Sequence, residues 1–369
     1  MIVDRQRLCN VLEILRTACG NKTLDVADNI KFAVDKKEHR LTLSSTNFIA
    51  FISVDFGDLS LVDMSDVPDM FLLPADLLYD IIKASTTNSA EFIGSNSDSV
   101  ITVITNGKYT LNRHSQESSF PTADYAMSEI GKWKISDLLP MWEKGSIAIS
   151  KDVTKLSYQG VYFDGCFVST DANRLAVMAG VSDKSFSALI PPSFGDILKM
   201  CKGNEIIIGL NPTVKTLVLY DQSIGLASAY RLLDADYVDY KRLINSRSYQ
   251  VKFKINRSEI LWALKRLNSF TDNVYKVINI EINTNQNINE MILTVERGNS
   301  GVEKIKLNNF EVNQDSKSEN LTTRKYHIQN LGSGIEAIES DEVSMSLQKD
   351  GKIWIDEGKF TYLLTTIIS

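Results

Sequence analysis

Residue types that could perform covalent or acid–base chemistry are few in this chain and far apart. The sequence contains four cysteines, Cys9, Cys19, Cys166 and Cys201. They form no Cys-x-x-Cys pair, and no histidine lies at metal-binding spacing from them. The histidines, each alone among polar or charged neighbours, are His39, His114 and His327. The sequence therefore predicts ordinary reduced thiols, a cytoplasmic location, no metal site and no cofactor.

Two other patterns resemble catalytic motifs but have simpler explanations. Gly-Lys pairs begin at Gly107, Gly131, Gly351 and Gly358. None has the second glycine, five residues earlier, that a P-loop needs to surround a phosphate. Asp171 and Arg174 have the spacing of a charged catalytic pair, but an aspartate that caps a hairpin turn accounts for them equally well. An enzyme is therefore the weaker interpretation.

Composition limits the classes of protein that remain. A chain of 369 residues is long enough for two or three domains, and 43% hydrophobic with 23% charged residues is typical of globular proteins. No apolar run approaches the ~20 residues that a membrane span needs, and the N-terminal residues indicate a strand and a helix rather than a signal peptide. The formal charge of -6 argues against a surface that is basic all over but allows a local basic face.

Three parts of the chain repeat one hairpin pattern. The repeated segments are residues 91–112, 205–230 and 342–356. In the first and third, Asn106-Gly107 and Asp350-Gly351 separate two alternating apolar runs. Such dipeptides favour tight hairpins, because a type I′ turn needs positive φ angles. Polar stretches at 283–290 and 313–320 predict longer hairpin ends.

A strand-to-helix step also repeats, and it defines the domains. Leu73-Pro74 and Ile190-Pro191 each precede a helical segment, where proline is tolerated because its missing N–H is not needed. Further helices are predicted at 5–18, 135–142 and 257–267. Equivalent points are roughly 115 to 135 residues apart, far above the ~20–50 of solenoid repeats. The sequence therefore predicts three repeated α+β domains, 1–126, 127–247 and 248–369, each with two helices and antiparallel sheets.

An ordered set of short motifs in these domains resembles a known family. The motifs are Phe120-Pro121, Asp124-Tyr125, residues 159–163, residues 170–176, Ile190-Pro191 and residues 239–242. Their order and spacing resemble the bacterial sliding clamp, the β subunit of DNA polymerase III. The resemblance covers essentially the whole chain and is densest from Leu156 to Ile244.

The resemblance implies a non-enzymatic ring that encircles duplex DNA. In that family two chains join head to tail, so six domains contribute twelve helices to the lining of the hole. Helices spaced ~10 Å apart give a circumference near ~120 Å, and therefore an opening of about 28 Å inside the helices. A duplex fits there with water around it, and such loose contact permits sliding.

The resemblance also implies which residues face the DNA and which face a second copy of the chain. The expected DNA-facing residues are Lys22, Lys151, Lys155, Lys199, Lys202, Lys265 and Arg266. Contact between the two chains of a homodimer is expected at Tyr109 and Leu111 of one chain and Phe270 of the other.

A groove that binds short peptides of DNA polymerase and the clamp loader is the third expected surface. Its expected residues are Tyr158, Thr170, Ala172, Asn173, Arg174, Leu175, Val238, Arg242, Leu243, Asn330, Thr365, Thr366 and Ile367. Ala172-Asn173 stands where the family usually has Gly-His, Val238 replaces a usual proline, and residues 365–368 replace a tail that contains Met, Pro or Arg. An alanine held at positive φ costs roughly 1 kcal/mol, so the turn is expected to differ.

A clamp-fold scaffold that does not load on DNA is the remaining alternative. Dimerisation together with DNA loading separates it from a working clamp.

Overall fold

A computed structural model describes residues 1–20, 25–59, 62–182, 186–272, 276–285, 288–313 and 323–367. These residues form two compact units. Unit 1 comprises Met1–Leu139 and Ile190–Leu233, and unit 2 comprises Pro140–Leu189 and Asp234–Ser369. The middle third of the chain therefore contributes to both units, while the domain boundaries at 126 and 247 stay a prediction.

The first third of the chain contains two helices and eight strands among its described residues. The helices are α1 (Arg5–Arg16) and α2 (Ala75–Ala84). The strands are β1 (Ile2–Asp4), β2 (Asn29–Asp35), β3 (Arg40–Thr46), β4 (Ala50–Asp58), β5 (Met70–Pro74), β6 (Ser89–Ile93), β7 (Val100–Ile104) and β8 (Lys108–Asn112). Helix α1 begins after Asp4, whose carboxylate accepts a hydrogen bond from the Arg7 N–H at 2.6 Å. Its buried side chains include Leu8, Leu12 and Leu15, which recur at helical spacing.

The middle third contains three helices and eight strands in the described ranges. The helices are α3 (Ile135–Ser146), α4 (Ser193–Met200) and α5 (Tyr240–Asn245). The strands are β9 (Ser128–Trp133), β10 (Val161–Phe163), β11 (Phe167–Thr170), β12 (Arg174–Met178), β13 (Ala188–Ile190), β14 (Ile206–Asn211), β15 (Thr216–Asp221) and β16 (Leu226–Arg231). The short helix α5 is absent from the sequence prediction. It begins where the Asp239 carboxylate accepts from the Arg242 N–H at 3.0 Å.

The last third contains two helices and nine strands where it is described. The helices are α6 (Arg257–Asn268) and α7 (Ile328–Glu336). The strands are β17 (Val251–Asn256), β18 (Val277–Asn285), β19 (Ile288–Arg297), β20 (Asn299–Lys306), β21 (Asn308–Val312), β22 (Arg324–His327), β23 (Glu342–Leu347), β24 (Ile353–Glu357) and β25 (Phe360–Leu364). Asn256 caps α6 by accepting from the Glu259 N–H at 2.9 Å.

Two sheets form the frame of unit 1. One has eight strands in the order β5-β2-β3-β4-β16-β15-β14-β9, and the other has four in the order β1-β6-β7-β8. Strand β16 lies antiparallel beside β4, with Ala229 opposite Phe51 and Tyr230 opposite Ala50. The first and middle thirds of the chain therefore share one sheet, and β8 is left at an edge of the other.

Unit 2 has the same plan. Its nine-stranded sheet has the order β13-β10-β11-β12-β25-β24-β23-β17-β21, and its four-stranded sheet has the order β20-β19-β18-β22. Strand β25 lies antiparallel beside β12, with Leu363 opposite Leu175 and Leu364 opposite Arg174. The final strand of the chain thus completes a sheet begun by the middle third, and β20 lies at an edge.

The predicted fold class is confirmed, with two long helices in each third and antiparallel pairing. The predicted hairpin at Asn106-Gly107 is present, since β7 and β8 pair as far as Ile104 and Lys108, but its turn type was predicted wrongly. Gly351 has the expected positive φ of 88°, but neither Asn106 nor Gly107 has one. The Asn106 side chain instead accepts from the Thr86 N–H at 2.7 Å, which fixes the turn without a left-handed residue.

The predicted hairpin end at 283–290 is present, since β18 and β19 pair as far as Asn285 and Ile288. Most of the polar stretch at 313–320 lies outside the described residues. No helix in the described ranges is long and apolar enough to cross a membrane.

Candidate functional site

The turn between β11 and β12, residues 170–174, carries four of the predicted groove residues, Thr170, Ala172, Asn173 and Arg174. The Thr170 hydroxyl donates to the Arg174 carbonyl at 2.6 Å and accepts from the Ala172 N–H at 3.1 Å. The Asp171 carboxylate accepts from the Asn173 and Arg174 N–H groups, and its second oxygen binds the Arg174 guanidinium at 2.8 Å. Asp171 is therefore a turn cap, and Ala172 keeps a positive φ of 77° despite its Cβ.

The C-terminal run is attached to this turn. Both the N–H and the hydroxyl of Thr365 donate to the Asn173 carbonyl at 2.9 Å. Two residues later, the Ile367 N–H donates to the Lys325 carbonyl at 2.8 Å, and the Ile367 side chain is exposed. The structure thus brings Thr365 beside the turn at 170–174, while the groove itself stays a prediction.

An apolar cluster lies beneath the turn. Its buried members are Val168, Leu175, Val177, Tyr240, Trp354 and Leu363. Val238 is half-buried and packs against this cluster. Leu175 is only 2% exposed, so it supports the groove from below rather than presenting a surface of its own.

A cavity of about 620 Å³ lies next to the cluster. It is lined by Leu243, Ser246, Ser248, Gln348, Lys349, Asp350, Lys352, Trp354 and Leu363. Trp354 is almost completely buried, and its indole N–H has no hydrogen-bond partner among the described residues. A buried donor without a partner costs roughly 1–3 kcal/mol.

Charged side chains line the cavity at Lys349, Asp350 and Lys352, and others pack on the Trp354 ring. The Arg247 guanidinium lies 4.8 Å from the centre of the Trp354 ring and binds the Asp356 carboxylate at 2.9 Å. Burial acts to raise the pKa of Asp350, but its hydrogen bonds with Lys352 outweigh burial and lower that pKa. The cavity therefore combines an apolar floor with hydroxyls, an amide and fixed charges, which suits a short peptide.

Tyrosines pack on the opposite side of the cluster. The rings of Tyr162 and Tyr237 stack with centroids 4.6 Å apart, and the Tyr240 hydroxyl donates to the Asp164 carboxylate at 2.7 Å. Burial raises the pKa of Tyr240, and the bond to Asp164 raises it further. Burial also raises the pKa of Tyr237, with a smaller contribution from Tyr158. These hydroxyls stay neutral and hold the segment 237–240 over the sheet.

Of the other predicted groove residues, Tyr158 ends the 3-10 turn Leu156–Tyr158, and Asn330, Arg242 and Leu243 lie on the short helices α7 and α5. The ring of His327 caps α7 by accepting from the Asn330 N–H at 3.3 Å. Burial lowers the pKa of His327, and the charge of Arg174 lowers it further. Arg242 and Leu243 are exposed on α5, and Leu243 lines the cavity.

Unit 1 contains the same turn at residues 46–50. The Thr46 hydroxyl donates to the Ala50 carbonyl at 3.0 Å, and the Asn47 side chain accepts from the Ile49 and Ala50 N–H groups. Phe48 has a positive φ of 70°, as Ala172 does in unit 2. The Arg231 N–H donates to the Ile49 carbonyl at 2.8 Å, which matches the bond from Thr365 to Asn173.

The apolar residues beneath the two turns correspond one to one. In unit 1, Phe51 lies opposite Ala229, which in turn lies opposite Val218. In unit 2, Leu175 lies opposite Leu363, which in turn lies opposite Trp354. In unit 1 these residues are packed against Ala123, Tyr125, Met127 and Tyr220. Trp354 and Leu363 were missed from the sequence, where they belong to ordinary alternating strands; only their match to Val218 and Ala229 distinguishes them.

The predicted DNA-facing cations lie on several elements. In unit 1, Lys199 is exposed on α4 and Lys202 follows that helix. In unit 2, Lys151 and Lys155 are exposed in the loop after α3, and Lys265 and Arg266 are exposed on α6. Arg266 is held by the Glu303 carboxylate at 2.6 and 2.9 Å, which neutralises part of its charge. The predicted Lys22 lies outside the described residues.

The residues predicted to join two copies differ in exposure. Tyr109 on β8 is 39% exposed and Phe270 after α6 is 41% exposed, whereas Leu111 is buried in the core of unit 1. Tyr109 covers Gly107, and Phe270 covers Gly301 on β20. An exposed aromatic residue therefore lies beside β8 and beside β20, each an edge strand of a four-stranded sheet in the described part of the chain.

No group of three or more His, Cys, Asp or Glu side chains in the described part of the chain is arranged to hold a metal ion.

The chain has the fold of bacterial sliding clamps. The DNA polymerase III β subunit of Thermotoga maritima matches with a TM-score of 0.85 at 17% identity, covering 100% of this chain and 99% of that one. The sliding clamp of Bacillus subtilis matches with a TM-score of 0.85 at 15% identity, covering 100% and 98%. The clamp of Bartonella birtlesii, solved bound to griselimycin, matches with a TM-score of 0.84 at 16% identity, covering 100% and 99%. No protein-family model and no curated protein sequence matches the chain.

Proposed function

We propose that this protein is a sliding clamp, a non-catalytic ring that encircles duplex DNA and tethers a DNA polymerase. The observation that carries the proposal is the match of the entire chain, end to end, to clamps of several bacteria. A fold alone does not determine a function, so the proposal also rests on the edge strands β8 and β20 with their exposed aromatic residues, the exposed cations and the cavity of unit 2.

Ring closure is the first part of the proposal. Strand β8 of one copy pairs with β20 of a second copy, and the exposed rings of Tyr109 and Phe270 cover the junction. The same contact formed twice closes a head-to-tail dimer, and it removes two edges that would otherwise invite uncontrolled strand pairing. Val302 on β20 is 57% exposed and adds apolar surface at this edge.

DNA is held by topology rather than by affinity. The net charge is -6, and the predicted cations are scattered over separate helices and loops. Such a surface neutralises few phosphates at once, so direct binding falls in the non-specific range of about 10⁻⁴–10⁻⁶ M and weakens with salt. A closed ring stays on a circular duplex because escape requires opening an interface.

Partner proteins bind in the cavity of unit 2. A peptide places an apolar side chain between Leu243 and Leu363, next to the ring of Trp354. The hydroxyls of Ser246 and Ser248 are available for further hydrogen bonds. The expected partners are peptides of a DNA polymerase and of a clamp loader, as the family resemblance of the sequence implies.

Light scattering coupled to gel filtration tests the ring directly. The wild-type protein at micromolar concentration is expected to have the mass of two chains. The double variant Tyr109→Ala, Phe270→Ala should shift towards the mass of one chain, because it removes both aromatic covers. Leu77→Ala is the matched control, since Leu77 is 51% exposed on α2 and lies at neither edge. A monomeric wild type would overturn the ring.

A further inference from the structure

A second cavity of about 590 Å³ lies between α6 and α7 of unit 2, away from the peptide cavity. Helix α6 buries Ile260, Ala263, Leu264 and Leu267. Trp262 lies on its exposed side, lines the cavity and is 57% exposed. The core therefore does not need this ring, and its large surface is open to a partner.

A cation is placed at the exposed ring. The Lys265 ammonium, one turn along α6, lies 4.9 Å from the centre of the Trp262 ring. At the start of the helix, Arg257 also lines the cavity, and its guanidinium donates to the Glu336 carbonyl of α7 at 3.0 Å. The Nε–H of Arg257 is buried and has no partner within the described chain. One aromatic face and two cations thus meet at one cavity.

The wall formed by α7 is kept open by a glycine. Helix α7 contains Gly332 and Gly334, although glycine in a helix costs about 1 kcal/mol relative to alanine. Packing explains Gly334, because a Cβ there would overlap the ring of Tyr362. No atom lies within 4 Å of a Cβ added at Gly332, which lines the cavity. Packing therefore does not require Gly332, and its effect is to leave room beside Trp262.

We propose that the cavity between α6 and α7 binds unpaired single-stranded DNA. A base stacks on Trp262, the adjacent phosphates contact Lys265 and Arg257, and Gly332 makes space for the base. Stacking platforms with flanking cations bind single strands without sequence preference, because every base has a flat face. Bases in a duplex already stack on each other, so an unmodified duplex offers Trp262 nothing comparable.

This site rests on the proposed function for its choice of DNA and adds a contact that the ring itself does not need. In a working clamp it would hold the template strand next to a primer end. The net charge of the lining is small, because Glu336 lies on the same cavity as the two cations. Binding is therefore expected to be weak and to depend on the bases more than on the phosphates.

Fluorescence anisotropy at low salt with a labelled oligo(dT) tests the site. The wild type should bind oligo(dT) more tightly than an abasic oligonucleotide of the same length or a duplex. Trp262→Leu should lose about tenfold in affinity for oligo(dT), which removes its advantage over the abasic strand. Trp262→Phe keeps an aromatic face and should retain most of the affinity. Equal binding of oligo(dT) and the abasic strand by the wild type would overturn the proposal.

Gly332→Leu fills the cavity from the side of α7. It is a second variant whose loss of affinity for oligo(dT) would not be explained by misfolding. Leucine is a better helix former than glycine, so the variant should melt at the same or a higher temperature. Its affinity for oligo(dT) should fall as far as that of Trp262→Leu, and unchanged affinity in either variant contradicts the site. The mass from light scattering is a separate measurement. A dimeric wild type that binds oligo(dT) and the abasic strand equally refutes this site alone. A monomeric wild type refutes the ring.

Discussion

The turns at 46–50 in unit 1 and 170–174 in unit 2 have the same hydrogen bonds but different surroundings. In both, a threonine hydroxyl closes the turn, an Asn or Asp side chain caps it, and the third residue has positive φ. In unit 1 that third residue is Phe48, which packs against Val26, Leu72 and Phe120. In unit 2 it is Ala172, which is exposed.

The strands below the turns extend this difference. Unit 1 has Val218 and Ala229 under a cover that includes Tyr125 and Met127. Unit 2 has the larger Trp354 and Leu363 at the same positions, and they line a cavity. The same backbone arrangement can therefore either be covered by apolar side chains, as in unit 1, or form a binding surface, as in unit 2. A few side chains decide which, because the turn itself is satisfied by its own hydrogen bonds in both units.

A negative charge placed in unit 1 or in unit 2 should produce the largest difference between the two units, measured as affinity for a partner peptide. Leu243→Asp puts a carboxylate at the cavity of unit 2 and should weaken binding of a C-terminal peptide from the polymerase of the same genome more than about 20-fold, because the charge loses water without gaining a partner. Ile49→Asp is the matched control, since Ile49 is 46% exposed at the turn of unit 1. Calorimetry with both variants measures the effect. If Ile49→Asp weakened binding and Leu243→Asp did not, the roles of the two units would be exchanged.

Glycine at the third turn position should have opposite effects in the two units. Ala172→Gly should raise the free energy of unfolding by about 1 kcal/mol, because only the backbone strain changes. Phe48→Gly relieves similar strain but removes packing against Val26, Leu72 and Phe120, so it should lower stability by about 1–2 kcal/mol. Urea unfolding midpoints compare the two. Stabilisation by both variants would mean that the packing of Phe48 does not stabilise unit 1.

A smaller difference, in how the free energy of unfolding depends on pH, should arise from His327, which lies near the turn of unit 2. Its pKa is lowered in the folded protein, so the unfolded chain binds the proton more tightly. The contribution of His327 to stability is then complete above the usual histidine pKa of about 6.5 and declines as the pH falls through the folded value. Urea unfolding at pH 7.5 and 5.5 should show less loss of stability for His327→Gln than for the wild type. His39→Gln, at an exposed turn, should leave the loss unchanged; equal losses in all three proteins would refute this role.

The repeated plan could be predicted from the sequence because each element has its own local signal. The apolar spacing of Leu8, Leu12 and Leu15 indicates α1, and Asp350-Gly351 indicates the turn before β24. Helix α5 gave a weaker signal, since six residues and one cap do not make a helical period. The turn at Asn106-Gly107 depends on Thr86, a distant residue, and local sequence rules do not include such contacts.

The binding cavity could be predicted only in part. Leu243 on the lining of the cavity and Leu175 in the cluster beside it follow from the family resemblance, and the neighbouring capped turn follows from Thr170 and Asp171. Trp354 and Leu363 required the register of β24 against β25 and of β25 against β12. That register joins residues almost two hundred positions apart, and it is set by how the final strand enters a sheet built by the middle third.

Encirclement is the central claim, and a ligation experiment tests it without a clamp loader. The protein is incubated with a linear duplex, the ends are sealed with DNA ligase, and the product is passed through gel filtration at high salt. A ring that has threaded onto the duplex is expected to co-elute with the sealed circle and to be released when a restriction enzyme cuts it. Absence of protein from the sealed circle, or equal salt-resistant retention on circular and linear DNA, would contradict encirclement.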